Sequence, residues 1–191
     1  MSVYYFVSGK ANGIMKNCEI ILAGFGGQGI LFSGKVIAYS GLKAGREVSW
    51  LPSYGPEMRG GTCNCHVVVS DSPVGSPIIP DPDVLIAMNR PSLDKFEMDV
   101  KSGGFIIVDS SLIDRDTTRD DVTFVKIPAT EMCHEAKLGN LANMVIAGKL
   151  IKETGLYTLD EIKEGLKKSV PPTKAALLES NMKAIELGYT Y

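Results

Sequence analysis

The sequence predicts an α/β fold, a Rossmann-like three-layer domain with a mixed, mainly parallel sheet and a helical C-terminal third. Three observations carry that expectation. Short apolar runs of strand length alternate with helical periodicities along the first two thirds of the chain. The first of them, Glu19-Ile20-Ile21-Leu22-Ala23, feeds directly into a glycine cluster and then into an apolar-periodic helix. The last third carries its apolar residues at helical spacing.

Composition narrows the function classes. A chain of 191 residues, 45% hydrophobic and 22% charged, is long enough to bury a full core, and no apolar run reaches membrane-spanning length. A net charge of -2 lacks the basic excess that phosphate neutralisation needs, so neither nucleic acid nor membrane is expected as a partner. Residues 1–14 are too short and too polar for a secretory signal and are expected to be a frayed or adventitious tail, with residues 15–191 as one domain in the cytoplasm. The four cysteines, Cys18, Cys63, Cys65 and Cys133, lack C-x-x-C spacing and the runs that ligate iron–sulfur clusters. If Thr62 to Ser70 is a strand, Cys63 and Cys65 share one face and His66 takes the other.

The opening unit is a strand, a tight turn and a helix start. Gly24, Gly26 and Gly29 satisfy G-x-G-x-x-G, and a helix follows from Gln28 to about Ala44 with Gly45 as its cap. Such a turn lets backbone amides approach an anion, or another chain, at the positive end of a helix dipole. Arg46 to Leu51 is the second strand. A nicotinamide or flavin site wants a carboxylate at the end of that strand to hold the ribose, but Trp50, Leu51 and Pro52 stand there and Glu47 lies at the other end. The dinucleotide reading therefore loses its second element. The loop from Pro52 to Thr62 mixes an aromatic, both charge signs and three glycines, and is expected to be a binding loop on the same sheet edge as the glycine turn.

Strands are expected at Thr62 to Ser70, Asp83 to Asn89, Phe105 to Asp109 and Val122 to Ile127. The turn at Asp71 to Pro77 suggests a hairpin that extends the sheet antiparallel. A helix should open at Pro91 or Ser92 and end near Gly103. Asp109, at a strand's carboxyl end, is expected to cap the following turn. Helices follow at about Glu131 to Leu138, at Gly139-Asn140 to about Glu153, after the capping box Thr158-x-x-Glu161, and from about Thr173 to Leu187. His134 has no nucleophile or carboxylate at a pairing distance in sequence and is expected on a helix surface.

Gly24-Phe25-Gly26-Gly27-Gln28-Gly29 together with Trp50-Leu51-Pro52-Ser53-Tyr54-Gly55-Pro56-Glu57-Met58-Arg59-Gly60-Gly61-Thr62 strongly resembles the gamma subunit of the 2-oxoacid:ferredoxin oxidoreductases, and the resemblance runs from about Met15 to Leu187. The Tyr54 to Gly61 variant is closer to the 2-oxoglutarate and branched-chain enzymes than to the pyruvate enzymes. The indolepyruvate oxidoreductase small subunit is a near relative.

That resemblance implies a hetero-oligomeric enzyme that decarboxylates a 2-oxoacid on thiamine diphosphate, passes electrons through Fe–S clusters to ferredoxin, and forms an acyl-coenzyme A. Thiamine diphosphate, Mg2+ and the clusters would sit in alpha, beta and, where present, delta subunits, with no cofactor in this chain and no catalytic or metal-ligating residue of its own. Gly24, Gly26, Gly27, Gln28 and Gly29 would form a phosphate- or coenzyme A-facing or interface turn. Ser53, Tyr54, Glu57, Met58 and Arg59 would face a neighbouring subunit, Arg59 with a planar fork suited to phosphate or carboxylate. The isolated chain would be inactive, with a homodimer as one state open to it. The other classes left open by the residues are a free-standing dinucleotide-binding protein and a nucleotide-sensing or scaffold protein that borrows the fold.

Overall fold

The structure is a computed structural model that describes residues 15, 17–53, 61–171, 173 and 175–191. In chain order its elements are β1 (Cys18–Phe25), α1 (Ile30–Lys43), β2 (Glu47–Ser53), β3 (Thr62–Ser70), β4 (Val84–Ala87), α2 (Arg90–Phe96), β5 (Phe105–Asp109), β6 (Thr123–Ile127), α3 (Ala129–Glu135), α4 (Ala142–Thr154), α5 (Leu159–Ser169) and α6 (Ala175–Thr190). The expected tail at 1–14 lies outside the described residues.

The strands form one sheet in the order β2-β3-β1-β4-β5-β6. β1, β4, β5 and β6 are parallel neighbours, while β3 runs antiparallel to both β1 and β2. The mixed, mainly parallel sheet is as expected, but the hairpin is not where the Asp71 to Pro77 turn suggested. β3 takes its antiparallel partners from β1 (Phe25 opposite Thr62) and β2 (Ser53 opposite Asn64), and β4 pairs with β1 instead. The physical reason is burial: all four residues of β4 are buried, so it occupies an interior slot with strands on both sides.

Period-2 alternation sorts the core into two layers. Ile20 and Leu22 join Cys65, Val67 and Val69 under α1, α4, α5 and α6. Ile21 points to the other face with Val68, Leu85 and Ile106, covered by Leu93 of α2 and by Ile79 and Ile113 from loops. Fully burying each such Ile or Leu contributes about 2 kcal/mol. On the first face α4 and α6 cross so closely that a Cβ at Gly148 would strike the Ile185 carbonyl, and one at Gly188 the Val145 carbonyl.

Several helix boundaries shift from expectation for local reasons. α2 stops at Phe96 and continues as a short 3-10 turn over Glu97–Asp99. α3 begins at Ala129, directly after Pro128, and ends where Lys137 adopts φ 54, with Leu138 N–H reaching back to the Cys133 carbonyl at 2.9 Å. α4 starts only at Ala142 because Gly139 takes φ 65. The Thr158 capping box forms as expected, the Thr158 hydroxyl accepting from Glu161 N–H at 3.2 Å and the Glu161 carboxylate accepting from Thr158 N–H at 2.7 Å.

Candidate functional site

The carboxyl ends of β1, β4, β5 and β6 point the same way, so the segments that leave them converge on one edge of the sheet. β1 leads through α1 to the β2/β3 side, whereas β4 and β5 lie on the other. The crevice between β1 and β4 is therefore the point where strand order reverses, the place where open α/β sheets take ligands.

The glycine turn sits in that crevice. Gln28 locks it from within: its Oε1 accepts from Phe25 N–H at 2.6 Å, and its Nε2 donates to the Met88 carbonyl just past β4 at 2.9 Å. Gly29 is the N-cap of α1 with φ 77 and ψ 17, a conformation that suits glycine, and offers no side chain to the first turn. A Cβ there would also collide with the Asn143 side chain. Asn143, in the first turn of α4, donates to the Gly29 carbonyl at 3.1 Å and to Ser33 Oγ at 3.0 Å, which ties the N-termini of α1 and α4 together. Leu141, the N-cap of α4, likewise makes no side-chain cap. Two helix dipoles thus present their positive ends to one crevice.

A cavity of about 190 Å³ opens beside the turn, lined by Gly27, Gln28, Met88, Thr130, Cys133, Gly139, Asn140 and Ala142. Asp109 stands behind its rim. It is fully buried at the end of β5, accepts from Ser111 N–H at 3.1 Å as the expected cap, and also receives the Thr130 hydroxyl at 2.6 Å. Among the described residues no carboxylate lines the cavity itself.

Of the expected binding loop, the described end at Gly61 lies beside the glycine turn, its carbonyl accepting from Gly26 N–H at 3.0 Å. Ser53 is exposed at the end of β2. Tyr54, Glu57, Met58 and Arg59 lie outside the described residues. Phe25, Trp50 and Leu51 each remain between 37% and 38% exposed, Trp50 on the α1 face of the sheet and Phe25 and Leu51 on the opposite face.

Cys63 and Cys65 share the α1 face of β3 as alternation required, and His66 lies opposite, its Nδ1 accepting from Ile79 N–H at 3.1 Å. All four thiols are buried. Burial pushes Cys65 up to about 12 and raises Cys18, Cys63 and Cys133. Among the described residues no group of three His, Cys, Asp or Glu converges, and no helix is long and apolar enough to cross a membrane. His134 is exposed on α3, away from any nucleophile contact found among the described residues.

Sequence reasoning missed Thr130, Met88 and Asn140 as cavity residues. The available signal was topological: Met88 follows β4 and Thr130 follows β6, and segments leaving parallel strands meet at one edge.

Comparison with known proteins agrees with this architecture. The ketoisovalerate oxidoreductase subunit VorA of Methanothermobacter marburgensis is 38% identical over 176 residues, 91% of this chain, which spans only 36% of that longer protein. The 2-oxoglutarate synthase subunit KorC of Methanocaldococcus jannaschii is 37% identical over 90% of this chain and 91% of its own. Among solved structures, the gamma subunit of a keto/oxoacid ferredoxin oxidoreductase from Geobacter sulfurreducens superposes with TM-score 0.78 at 28% identity, covering 91% of this chain and 95% of that one. The 2-oxoglutarate:ferredoxin oxidoreductase of Magnetococcus marinus, solved with 2-oxoglutarate, coenzyme A and succinyl-CoA bound, matches with TM-score 0.82 at 26% identity over 92% of this chain and 31% of that chain. The resemblance to gamma subunits is thereby borne out. Residues 19–191 match the pyruvate ferredoxin/flavodoxin oxidoreductase family, and the chain belongs to it.

Proposed function

We propose that the chain is the gamma-type subunit of a multi-subunit 2-oxoacid:ferredoxin oxidoreductase that converts 2-oxoglutarate to its acyl-coenzyme A with electrons to ferredoxin. The observation that carries this reading is the near end-to-end match to a 2-oxoglutarate synthase subunit of the same extent. Thiamine diphosphate, Mg2+ and Fe–S clusters belong to alpha, beta and optional delta partners in the cytoplasm. This chain contributes a docking and coenzyme A-facing surface and turns nothing over alone.

The turn Gly24, Gly26, Gly27, Gln28 and Gly29 faces the coenzyme's phosphates. In support, α1 begins without a side-chain cap, so its first amides and its dipole favour an anion, and among the described residues no carboxylate lines the cavity to repel one. Ser53, Tyr54, Glu57, Met58 and Arg59 form the inter-subunit face, a reading supported by the exposure of Ser53 and of Leu51 at the end of β2. The missing carboxylate after Trp50-Leu51-Pro52 speaks against a free-standing nicotinamide or flavin protein.

The test is capture of the tagged chain from its native cell, followed by assay of coenzyme A-dependent ferredoxin reduction with 2-oxoglutarate, ketoisovalerate, pyruvate and indolepyruvate. Co-purifying thiamine-enzyme subunits and fastest turnover of 2-oxoglutarate are expected. Preference for indolepyruvate would move the chain to the indolepyruvate enzymes. A chain recovered alone that saturably binds a dinucleotide overturns the reading. Arg59→Ala should lower turnover of the complex, and unchanged assembly and turnover in that variant would remove Arg59 from the interface.

A further inference from the structure

We infer that residues 73–81 form a strap across the second face of the sheet, latched by His66 and released when the imidazole takes up a proton. The device needs neither coenzyme nor partner subunit, so it goes beyond the functional reading and does not rest on it.

The two faces of the sheet are covered differently. α1, α4, α5 and α6 lie on the first, whereas the second carries α2 beside β1 and β4 and leaves β3 to the connection between β3 and β4. That connection is fixed at both ends. Asp71 N–H donates to Asn17 Oδ1 at 2.8 Å, Asp83 N–H donates to the Glu19 carbonyl at 2.8 Å, and the Pro82 carbonyl accepts from Lys101 N–H at 3.0 Å. Between those ends donors are scarce, because Pro73, Pro77 and Pro80 have no N–H. Ser76 Oγ accepts from Ile78 N–H at 3.1 Å, a bond spent within the strap.

Among the described residues, a single hydrogen bond joins residues 73–81 to the sheet: Ile79 N–H donates to His66 Nδ1 at 3.1 Å. The Ile79 side chain is buried in the second core layer with Val68 and Ile21, and Val74 packs against that layer, while Ile78 stands exposed beside it. Little else holds the middle of the strap.

His66 is a titratable latch because of the ring nitrogen it uses. With Nδ1 accepting, the neutral ring carries its hydrogen on Nε2, and an added proton has only Nδ1 to go to. The imidazolium then turns a donor toward Ile79 N–H, and the bond is lost. Leu51 of β2, Ile21 of β1, and Asn64 and Val68 of β3 surround the half-buried ring on its own face. The charged groups that those elements and the strap bring to this side are Glu47, opposite Ser70; Glu19, opposite Val68, and Asp83, both held by Lys101; and the exposed Asp71 and Asp81. Burial is what moves the imidazole, and it moves it down, so the latched state prefers the neutral ring. A released ring returns to water and to its ordinary range. Acid therefore favours the released strap, and the bond reforms as pH rises.

The experiment is amide exchange of Ile79, read by nuclear magnetic resonance on the full chain between about pH 7.5 and about pH 5.5. Each rate is divided by the intrinsic rate at that pH and compared with the buried Ile107 of β5. Ile79 protection should fall about fivefold across that range, within the roughly tenfold that one pH unit below the ordinary imidazole value allows, while Ile107 keeps its protection. His66→Asn, whose side-chain oxygen replaces Nδ1 as an acceptor that does not titrate, should hold Ile79 equally at both pH values; His66→Ala should leave it fast at both. Ile79 protection that is constant with pH in the unmodified chain overturns the inference without need of any variant. So does a fall shared equally by Ile107, which is unfolding of the whole domain, and so does a fall that persists in His66→Asn.

Discussion

The two edges of the sheet are built on opposite plans. At the amino edge, polar groups are stitched to one another. Lys101 bridges Glu19 at 2.7 Å and Asp83 at 2.9 Å, while the second oxygen of Asp83 accepts from Glu19 N–H. Arg119 pairs with Asp121 and donates to carbonyls of Glu97, Met98 and Val100, which closes the loop before β6 onto the turn before β5. Asp121 is held at about 2 by that Arg119 bond. α5 starts with a full capping box, and Tyr157 just before it donates to the Ile37 carbonyl of α1 at 2.9 Å. At the carboxyl edge, α1 and α4 begin without a side-chain cap, whereas α2 is capped by Asn89 and the first amides of α3 donate to Asp109 and Ser111. Uncapped amides cost the isolated fold stability, and they are also the groups that bind anions. One edge is stitched by ion pairs, and the other leaves the starts of α1 and α4 open.

The largest expected effect tests the stitched side. Glu97 has a side chain only 8% exposed, and it is held by Arg115 at 2.7 Å and Thr117 at 3.1 Å. Burial would push its carboxyl up, but those hydrogen bonds outweigh burial and leave it below its ordinary value. Arg115→Ala strands this carboxylate and should cost about 3 kcal/mol in denaturant unfolding. KM for coenzyme A should not move, and a change in it would mean that the two edges are coupled.

Gln28→Ala attacks the open side. Losing both ties of the turn should raise KM for coenzyme A about tenfold while lowering stability by only about 1 kcal/mol, the reverse of the Arg115 pattern. Equal losses from both variants would erase the distinction between edges.

Lys137→Gly tests whether the open edge carries backbone cost. Lys137 holds φ 54 two residues before the cavity's Gly139, and glycine adopts that conformation without the Cβ clash. The substitution should stabilise by about 1 kcal/mol in thermal unfolding.

The smallest effect is a slope with pH. Burial lowers His66 below its ordinary value, and its Nδ1 must be unprotonated to accept from Ile79 N–H. The unfolded chain therefore takes up a proton before the folded one does. Stability should fall as pH drops below about 6.5 and level off once the folded pKa is passed. His66→Gln should flatten that part of the profile, and an unchanged slope would assign it elsewhere.

Much of this was legible in the chain. β1 and β5 were readable because an apolar run of strand length leaves few alternatives, and the Thr158 to Glu161 box because capping is local. The glycine turn announced itself by spacing alone. The pairing of β3 was not legible, because the Asp71 to Pro77 turn fits several topologies and only the need to bury β4 on both sides selects one. The cavity was not legible either. Asp109 and Thr130 are 21 residues apart, and Gly29 and Asn143 are 114 apart.

By itself, then, the sequence determined the element types, the glycine turn and the absence of a ribose acid after β2, all properties of neighbours along the chain. Tertiary structure alone decided which strand ends meet, that Asp109 receives the Thr130 hydroxyl, and that Asn143 binds the starts of two helices into one crevice. Those outcomes depend on distances between residues far apart in sequence, and such distances are set only when the sheet closes and the helices pack on it.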